Sequence, residues 1–215
     1  MTTGASIART PISVTRLKKR LENEPLVFIP ASVEDYWKLV ETPQLRLDYY
    51  NHQIVAAMSY GSLKHETIVN NISFRFNLKF EDQSCRVLPS NRPVYAADCD
   101  DIFNPDVHLV QGDLEEHTYK RAKTATLNPA IIVEVMSDST KGYDTSAKLP
   151  CYQRIKSVQH IVYIEQDHLE VCVYTRTNQP NEWLMKKYYL LDDTITLLSQ
   201  TFSLNDIYRN IDFTE

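Results

Sequence analysis

The most apolar run of the chain, residues 130–136, contains one charged residue, Glu134. Asn128 and Pro129 precede the run, and its apolar residues do not alternate with polar ones. A run of this kind is typical of a strand that is buried on both faces. Such a strand needs other elements packed against each face. The sequence therefore predicts a layered fold around a central strand, and it places a carboxylate inside that strand.

Helical and strand patterns on both sides of this run supply the covering layers. Residues 61–80 are the clearest helix, since apolar residues recur on one helical face. That face holds His65, Val69, Ile72 and Phe76. Residues 31–41 form a shorter helix, because Ser32 and Asp35 have the spacing of a helix-capping pair. Further helices are predicted at 144–155 and 203–209, and strands at 45–59, 86–88, 92–96, 105–110, 160–165, 169–176, 183–190 and 195–198.

The order of these elements predicts an α/β or α+β architecture, with a mixed β-sheet flanked by helices. A length of 215 residues suits one compact domain with peripheral additions. Residues 1–30 are polar and basic in their middle, which predicts an N-terminal arm. Residues 31–215 then form a single domain that ends in a β-hairpin-rich C-terminal extension.

The composition excludes several classes of protein. Only 4 glycines occur and no Gly-rich phosphate loop is present, so Walker and dinucleotide-binding fingerprints are absent. A net charge of −5 counts against a protein that holds nucleic acid by bulk electrostatics alone. An enzyme remains compatible with this charge, because bound metal ions add positive charge at an acidic site.

The cysteines and the N-terminus bear on location. Cys85, Cys99, Cys151 and Cys172 form no C-x-x-C pair, which favours reduced thiols in a cytoplasmic protein. Residues 1–11 lack the apolar segment of a signal peptide. No apolar run approaches the roughly 18 residues of a membrane span. We therefore expect a cytoplasmic protein without membrane contact.

Glu134 and Asp106 are the first candidate site residues. A carboxylate inside a buried strand costs several kcal/mol unless a cation or hydrogen-bond donors compensate it. A structural ion pair is one such compensation, and a metal ion is another. Asp106 lies 28 residues before Glu134, at the start of another predicted strand. Two carboxylates on neighbouring strands make a minimal oxygen site for Mg²⁺.

Lys148 is the third candidate. Asp144, Lys148 and Tyr152 recur at intervals of four, so they share one face of the predicted helix. A lysine directed at the metal site can orient an attacking water or stabilise negative charge that develops on a phosphoryl group. The alternative is an ordinary surface pair between Asp144 and Lys148.

Several short motifs together resemble the PD-(D/E)XK nuclease superfamily, and within it the prokaryotic Uma-type family of restriction-endonuclease-like proteins. The motifs are Pro105-Asp106, Val133-Glu134-Val135-Met136, Ser137-x-Ser139-Thr140 and Asp144-x-x-x-Lys148-x-x-x-Tyr152. The upstream segments that also fit are Leu47-Asp48, Gln53-Ile54-Val55 and a helix that opens near His65. The resemblance spans about residues 33–174, and its specificity comes from the common order and spacing of the motifs.

The resemblance implies a restriction-endonuclease-like mixed sheet and a role for each matching residue. Asp106 and Glu134 match the metal-binding acids of the PD and (D/E)XK motifs, and Asp48 matches an upstream acid that completes the metal shell. Lys148 matches the catalytic lysine of this subfamily. The accessory positions that the resemblance and the helix face together suggest are His65, Asp144 and Tyr152.

Three features leave alternatives open. Met136 stands where the superfamily at large has its lysine, and Pro150 predicts a kink or a late start of the helix that carries Lys148. His65 lies on the apolar face of its helix, where a packed histidine is the alternative to a functional one. His108 lies two residues after Asp106, on the same strand face, where it can reach the metal or simply pack.

The sequence thus predicts a metal-dependent endonuclease that hydrolyses phosphodiester bonds in nucleic acid, with DNA as the expected substrate. The expected cofactor is Mg²⁺ or Mn²⁺. A homodimer is expected, since cleavage of both strands of a duplex needs two sites related by symmetry. The alternative is an inactive nuclease-fold module that acts as a homo-oligomer and binds nucleic acid or protein.

Overall fold

The fold is that of a computed structural model in which residues 12–40, 42, 45–58, 61–120 and 123–213 are described. Within these residues two main sheets pack with helices into layers, which confirms the predicted mixed sheet flanked by helices. The six-stranded sheet contains β4 (Cys85–Pro89), β7 (Val107–Gln111), β10 (Pro129–Met136), β11 (His160–Glu165), β12 (Val171–Arg176) and β13 (Trp183–Tyr188). The seven-stranded sheet contains β1 (Val27–Pro30), β2 (Leu45–Tyr50), β3 (Gln53–Met58), β5 (Val94–Ala96), β6 (Asp101–Phe103), β8 (Glu116–Thr118) and β9 (Thr124–Thr126).

The helices are short apart from the third. They are α1 (Val14–Leu21), α2 (Val33–Leu39), α3 (Leu63–Lys79), α4 (Lys141–Tyr143), α5 (Leu149–Arg154) and α6 (Leu204–Ile207). A π-helical turn, Asp144–Lys148, joins α4 to α5. Among the described residues, no helix is both long enough and apolar enough to span a bilayer.

Strand β10 is the centre of the six-stranded sheet, as its apolar sequence predicts. All eight of its residues are buried, with β11 parallel on one side and β7 antiparallel on the other. Val133 and Val135 pack with α3 on one face, whereas Ile132 and Met136 pack on the opposite face with the region around α5. Because side chains alternate along a strand, Glu134 points to the second face.

The predicted strand segment 45–59 forms the β2–β3 hairpin, and its turn fixes the register of β2. Asn51 and His52 adopt φ values of 48° and 59°, the left-handed conformation that a two-residue hairpin turn requires at both positions. Asparagine tolerates this conformation better than most residues. The turn pairs Asp48 with Val55, and Arg46 and Asp48 lie on the same face of β2 because they are two residues apart.

Helix α3 covers the other face of the sheet. The Ser62 side chain accepts the backbone N–H of His65 and begins the helix. Ile68, Ile72 and Phe76 are buried against β10 and its neighbours. The predicted helix and its apolar face are confirmed, while His65, near the N-terminus, points toward the start of β7.

Two segments differ from the sequence expectations. The described part of the predicted N-terminal arm contains α1 and β1, and Leu17 and Leu21 of α1 are buried against the seven-stranded sheet. The C-terminal strand expected at 195–198 does not extend the sheet of β12 and β13. It forms a separate hairpin, β14 (Thr194–Leu197) with β15 (Gln200–Ser203), which packs on the core beside α3. Residues 1–11 of the arm lie outside the described residues.

The prediction of four reduced thiols is wrong. Cys99 and Cys151 form a disulfide, with their Cα atoms 5.9 Å apart, whereas Cys85 and Cys172 are free. The partners are 52 residues apart in the chain and meet only because α5 packs beside the β5–β6 turn, so no local spacing motif marks the pair. The cysteines therefore give no support to a cytoplasmic location.

Candidate active site

The strand pairing of β7 and β10 brings Asp106 and Glu134 together. Val107 and Val133 are register partners, so Asp106 and Glu134, one step further along each antiparallel strand, are neighbours. Both side chains are buried, at 2% exposure each. The backbone N–H of Val135 donates to Asp106 Oδ2 at 2.7 Å, which fixes the carboxylate of Asp106 against β10.

Lys148 connects the carboxylates of three different elements. Its Nζ lies 3.1 Å from Glu134 Oε1, 2.9 Å from Asp144 Oδ1 and 3.4 Å from Asp48 Oδ2. Burial lowers the pKa of Lys148, but the three carboxylates outweigh burial and hold that pKa well above its usual range. Lys148 is therefore a permanent cation inside the site and not a surface partner of Asp144.

The π-helical turn explains why Pro150 leaves Lys148 in place. Pro150 is the second residue of α5, a position where the missing N–H has no helical partner to lose. The backbone N–H of Leu149 still reaches the carbonyl of Asp144. The α-helix does start late, at Leu149, but Lys148 still contacts Glu134, because the wider π-helical turn before Leu149 carries the lysine.

Tyr152 closes the site from the next turn of the helix. Its hydroxyl donates to Glu134 Oε1 at 2.8 Å. Burial, together with the negative charge of Glu134, raises the pKa of Tyr152 well above its ordinary value. Tyr152 thus remains a hydrogen-bond donor to the carboxylate.

Arg46 was not among the residues that the sequence predicts for the site. Its Nη1 lies 2.7 Å from Asp106 Oδ1 and its Nη2 lies 3.5 Å from Glu134 Oε2. The same Nη2 donates to the backbone carbonyl of Asn104. The signal in the sequence is its position two residues before Asp48, which puts both side chains on one face of β2.

His65 reaches the site from the first turn of α3. Its Nε2 lies 3.3 Å from Asp106 Oδ2 and its Nδ1 lies 3.2 Å from Glu66 Oε1. Burial would lower the pKa of His65, but the hydrogen bond and the charge of Asp106 raise it above the ordinary value. His65 is part of the site and not a packed core residue.

The two central acids have opposite pKa shifts. Burial and the nearby acids, offset in part by Lys148, raise the pKa of Glu134 to about 7. Burial also opposes ionisation of Asp106, but Arg46 and the hydrogen bond from His65 outweigh it and lower the pKa of Asp106 well below its usual range. One acid is thus held ionised, while the other is close to protonation near neutral pH.

The buried charges of the site fit a divalent cation. Among the described residues of the site, four buried carboxylates face two permanent cations, Arg46 and Lys148, so negative charge is in excess by two. Protonation of His65 reduces that excess to one, and protonation of Glu134, whose pKa is about 7, reduces it by one more. The four carboxylates are those of Asp48, Asp106, Glu134 and Asp144. Carboxylate oxygens are the preferred ligands of Mg²⁺ and Mn²⁺.

A cavity of about 570 Å³ opens above these groups. Its floor is formed by the acids and by Lys148, and its walls combine polar residues from four loops with apolar side chains such as Leu26, Met58 and Val69. These polar residues include Ser62, Ser90, Asn91, Ser137, Ser139 and Gln166. Such a cavity admits a polar, anionic substrate to the buried acids.

Two residues considered from the sequence do not enter the site. The Nε2 of His108 pairs with the hydroxyl of Thr126 at 3.1 Å. His108 is therefore packed in the core and does not contact the candidate metal site. Met136 is buried in the core beside α5 and offers no donor to the acids. The cation beside Glu134 is Lys148.

Comparison with known proteins identifies the family of the chain. A family model, Uma2, described as "Putative restriction endonuclease", matches residues 33–206, which include every residue of the site. The chain belongs to the Uma2 family. Restriction-endonuclease-like families generally use divalent metals, and membership suggests a nuclease that binds nucleic acid.

Two curated relatives of this Uma2 chain come from Synechocystis sp. The uncharacterized protein slr1290 is 25% identical over 187 residues, which cover 86% of this chain and 95% of the relative. The uncharacterized protein sll1609 is 27% identical over 126 residues, or 58% of this chain and 69% of the relative. The similarity therefore extends over nearly the full length of the first relative.

A solved structure shares the Uma2 chain's fold. It is described as a putative nuclease belonging to DUF820 from Anabaena variabilis, and it superposes with a TM-score of 0.63. The superposition covers 83% of this chain and 98% of the other, at 17% sequence identity. At this identity the likeness shows a nuclease-like fold.

Proposed function

We propose that the chain is a divalent-metal-dependent endonuclease that hydrolyses phosphodiester bonds, with DNA as its substrate. The observation that carries this proposal is the excess of buried carboxylates over permanent cations at the floor of an open cavity. A protein core tolerates such an excess poorly unless a ligand balances it. Membership of a restriction-endonuclease-like family supports the same chemistry.

In this proposal Asp106 and Glu134 hold Mg²⁺ or Mn²⁺, with Asp48 as a further ligand. All three side chains are buried. Asp48 lies in β2, Glu134 lies in β10, and Asp106 directly precedes β7. When bound, the cation supplies Lewis-acid polarisation of the scissile phosphoryl group and lowers the pKa of water at the site.

Lys148 is the proposed catalytic donor. The surrounding carboxylates keep its pKa well above the usual range, so its Nζ can donate hydrogen bonds but cannot act as a base. We propose that its longest contact, 3.4 Å to Asp48, gives way to the attacking water or to a phosphoryl oxygen. Lys148 then orients the water and stabilises the negative charge that develops on the phosphoryl group.

Three accessory residues hold the reacting groups in position. Tyr152 donates to Glu134 and fixes its carboxylate. Asp144 accepts from Lys148 at the shortest of its three contacts and orients the ammonium. His65 lies against Asp106 and favours its ionised form. Each is a positioning residue, because each acts through one of the other groups.

We further propose that the active form is a homodimer in the cytoplasm. Two identical sites related by a two-fold axis can cut the two antiparallel strands of a duplex. The acidic chain, with a net charge of −5, is then expected to bind DNA through local contacts and the bound cation and not through its overall charge.

The test is cleavage of supercoiled plasmid and of an end-labelled duplex by the purified full chain. We expect cleavage with Mg²⁺ or Mn²⁺ and none with EDTA. Glu134→Gln and Asp106→Asn remove one metal ligand each while they preserve side-chain size, and we expect each to reduce the rate by at least about 100-fold.

Asp101→Asn is the matched control. Asp101 is also a buried carboxylate, but its Oδ1 accepts the backbone N–H of Asn51 and its side chain does not line the cavity. We expect the control to cleave like the unchanged chain. Equal activity of Glu134→Gln and Asp101→Asn would exclude the proposed metal site. Binding of the duplex without cleavage under any metal condition would favour the inactive binding module instead.

A further inference from the structure

Arg46 is more exposed than the two acids that it contacts, and all three line the cavity. Its side chain is 27% exposed, whereas those of Asp106 and Glu134 are 2% exposed. Arg46 itself lines the cavity. A cation that binds the two acids therefore has to replace the guanidinium that already contacts them.

The contacts of this guanidinium are those of a bound cation. It reaches one oxygen of Asp106, one oxygen of Glu134 and the backbone carbonyl of Asn104. Carboxylate and carbonyl oxygens converging from separate strands are also the ligands of Mg²⁺ and Mn²⁺. Arg46 and a divalent cation cannot use the same oxygens together, because their like charges repel at contact distance.

We infer, on the basis of the proposed function, that Arg46 is a resident counter-ion that a divalent cation displaces from Asp106 and Glu134, and that Arg46 then binds the substrate phosphate. Without metal, the guanidinium stabilises the two buried acids. With metal, it is released toward the cavity. The residue thereby couples metal binding to the arrival of a phosphate ligand.

The second role follows from the chemistry of the side chain. Lys148 is only 4% exposed and has three carboxylate partners, so it is enclosed by acids. Arg46 is the more exposed of these two permanent cations, and its planar fork forms paired hydrogen bonds with phosphate oxygens. A released Arg46 is thus placed to contact a phosphate in the cavity.

The first experiment measures Mn²⁺ affinity by titration calorimetry on the full chain. Arg46→Met removes the competing charge while it preserves much of the side-chain volume. We expect it to bind Mn²⁺ at least about ten-fold more tightly than the unchanged chain, since the cation no longer displaces a charge-assisted hydrogen bond. Arg46→Lys keeps the positive charge but lacks the planar guanidinium. We expect its Mn²⁺ affinity to lie between those of Arg46→Met and the unchanged chain.

Arg75→Met is the matched control. Arg75 also pairs with a carboxylate, that of Asp206, and its side chain is 20% exposed. It lies on α3 and does not line the cavity. We expect this variant to bind Mn²⁺ like the unchanged chain. Before titration, each variant is required to have the far-ultraviolet circular dichroism spectrum of the folded chain.

The second experiment uses only the unchanged chain, so it does not depend on whether a variant folds. Nuclear magnetic resonance of the arginine side-chain N–H groups reports whether a guanidinium stays in its ion pair. We expect Mg²⁺ to shift the signal of Arg46 and to leave that of Arg176 unchanged. Arg176 is a suitable internal reference because it donates to three backbone carbonyls, those of Gln153, Ile155 and Val158.

The outcomes separate this inference from the proposed function. If the unchanged chain binds Mn²⁺, Arg46→Met binds it no more tightly, and Mg²⁺ leaves the Arg46 signal in place, then Arg46 is a fixed structural partner. The inference is then wrong, while the metal site stands. If neither chain binds Mn²⁺, the proposed metal site itself is wrong, and the inference is excluded with it.

Discussion

Lys148 contacts Glu134 at 3.1 Å from the last position of the π-helical turn, which follows β10 and the short helix α4. The wider turn places Lys148 over the strand, and Tyr152 follows one turn later on the same carboxylate. The central acid of the site therefore receives its cation and its hydroxyl donor from one short, irregular helical segment.

We predict that Lys148→Met destabilises the protein as well as abolishing cleavage. Removal of this cation leaves three buried carboxylates facing each other, and the loss of one partner of a buried ion pair costs about 3–5 kcal/mol. Urea unfolding in EDTA measures the loss. Saturating Mg²⁺ is expected to restore part of it, because a ligand that binds only the folded chain stabilises it.

Lys187→Met provides the comparison for that measurement. Lys187 pairs with Glu170 at 2.7 Å, but its side chain is 41% exposed, and exposed ion pairs contribute less than about 1 kcal/mol. A loss for Lys148→Met as small as that for Lys187→Met would show that Lys148 is not a structural cation of the site.

We predict a smaller and more specific effect for Tyr152→Phe. The change removes the hydroxyl that donates to Glu134 at 2.8 Å and leaves the buried ring in place. Loss of a hydrogen bond to a buried charged group costs about 1.5–3 kcal/mol, and cleavage is expected to slow because Glu134 is less firmly held. Thermal unfolding and plasmid cleavage measure the two effects, and unchanged values of both would contradict the role assigned to Tyr152.

We predict that reduction of the Cys99–Cys151 disulfide weakens the fold. The bond closes a loop of 52 residues, for which the chain-entropy relation gives a stabilisation of about 4 kcal/mol. Cys99→Ser under non-reducing conditions should match the unchanged chain in dithiothreitol. Cys85→Ser, at a free cysteine, serves as the control, and equal unfolding curves with and without dithiothreitol would argue against the bond.

We predict a loss of stability at acid pH that depends on His108. Burial, with a contribution from Arg92, lowers the pKa of His108 to about 3, while an unfolded histidine titrates near 6.5. The unfolded chain therefore binds the proton first, and the stabilisation present above pH 6.5 is lost as the pH falls toward 3.

The measurement is the free energy of unfolding at pH 7.5 and pH 4.5. The raised pKa of Glu134 acts in the opposite direction in part of this range, so the comparison is made between the unchanged chain and His108→Asn. We expect the unchanged chain to lose about 2–3 kcal/mol more than this variant. His168→Asn, at an exposed position, should behave like the unchanged chain.

Much of the site could be predicted from sequence because each acid stands in a recognisable local context. Glu134 interrupts an apolar strand, Asp106 begins the next strand in the sheet, and Lys148 shares a helix face with Asp144 and Tyr152. The folded chain brings all of these side chains together. Their metal and catalytic roles remain proposals.

The ion pairs of Arg46 and the disulfide could not be predicted in this way. The partners of Arg46 lie 60 and 88 residues away in the chain, and those of the disulfide are 52 residues apart. A short sequence motif cannot identify partners so far apart in the chain, because these contacts depend on how the two sheets pack. Pro150 predicts the late start of α5 but not the π-helical turn before it, because proline rules describe a regular α-helix.

A crystal structure of the full chain soaked with Mn²⁺ tests the central claim most directly, with anomalous scattering used to locate the ion. The account predicts an anomalous peak in contact with the carboxylates of Asp106 and Glu134 and a guanidinium of Arg46 that has moved away from both. Saturating Mn²⁺ that leaves no peak at these carboxylates, with Arg46 still between them, would contradict the account.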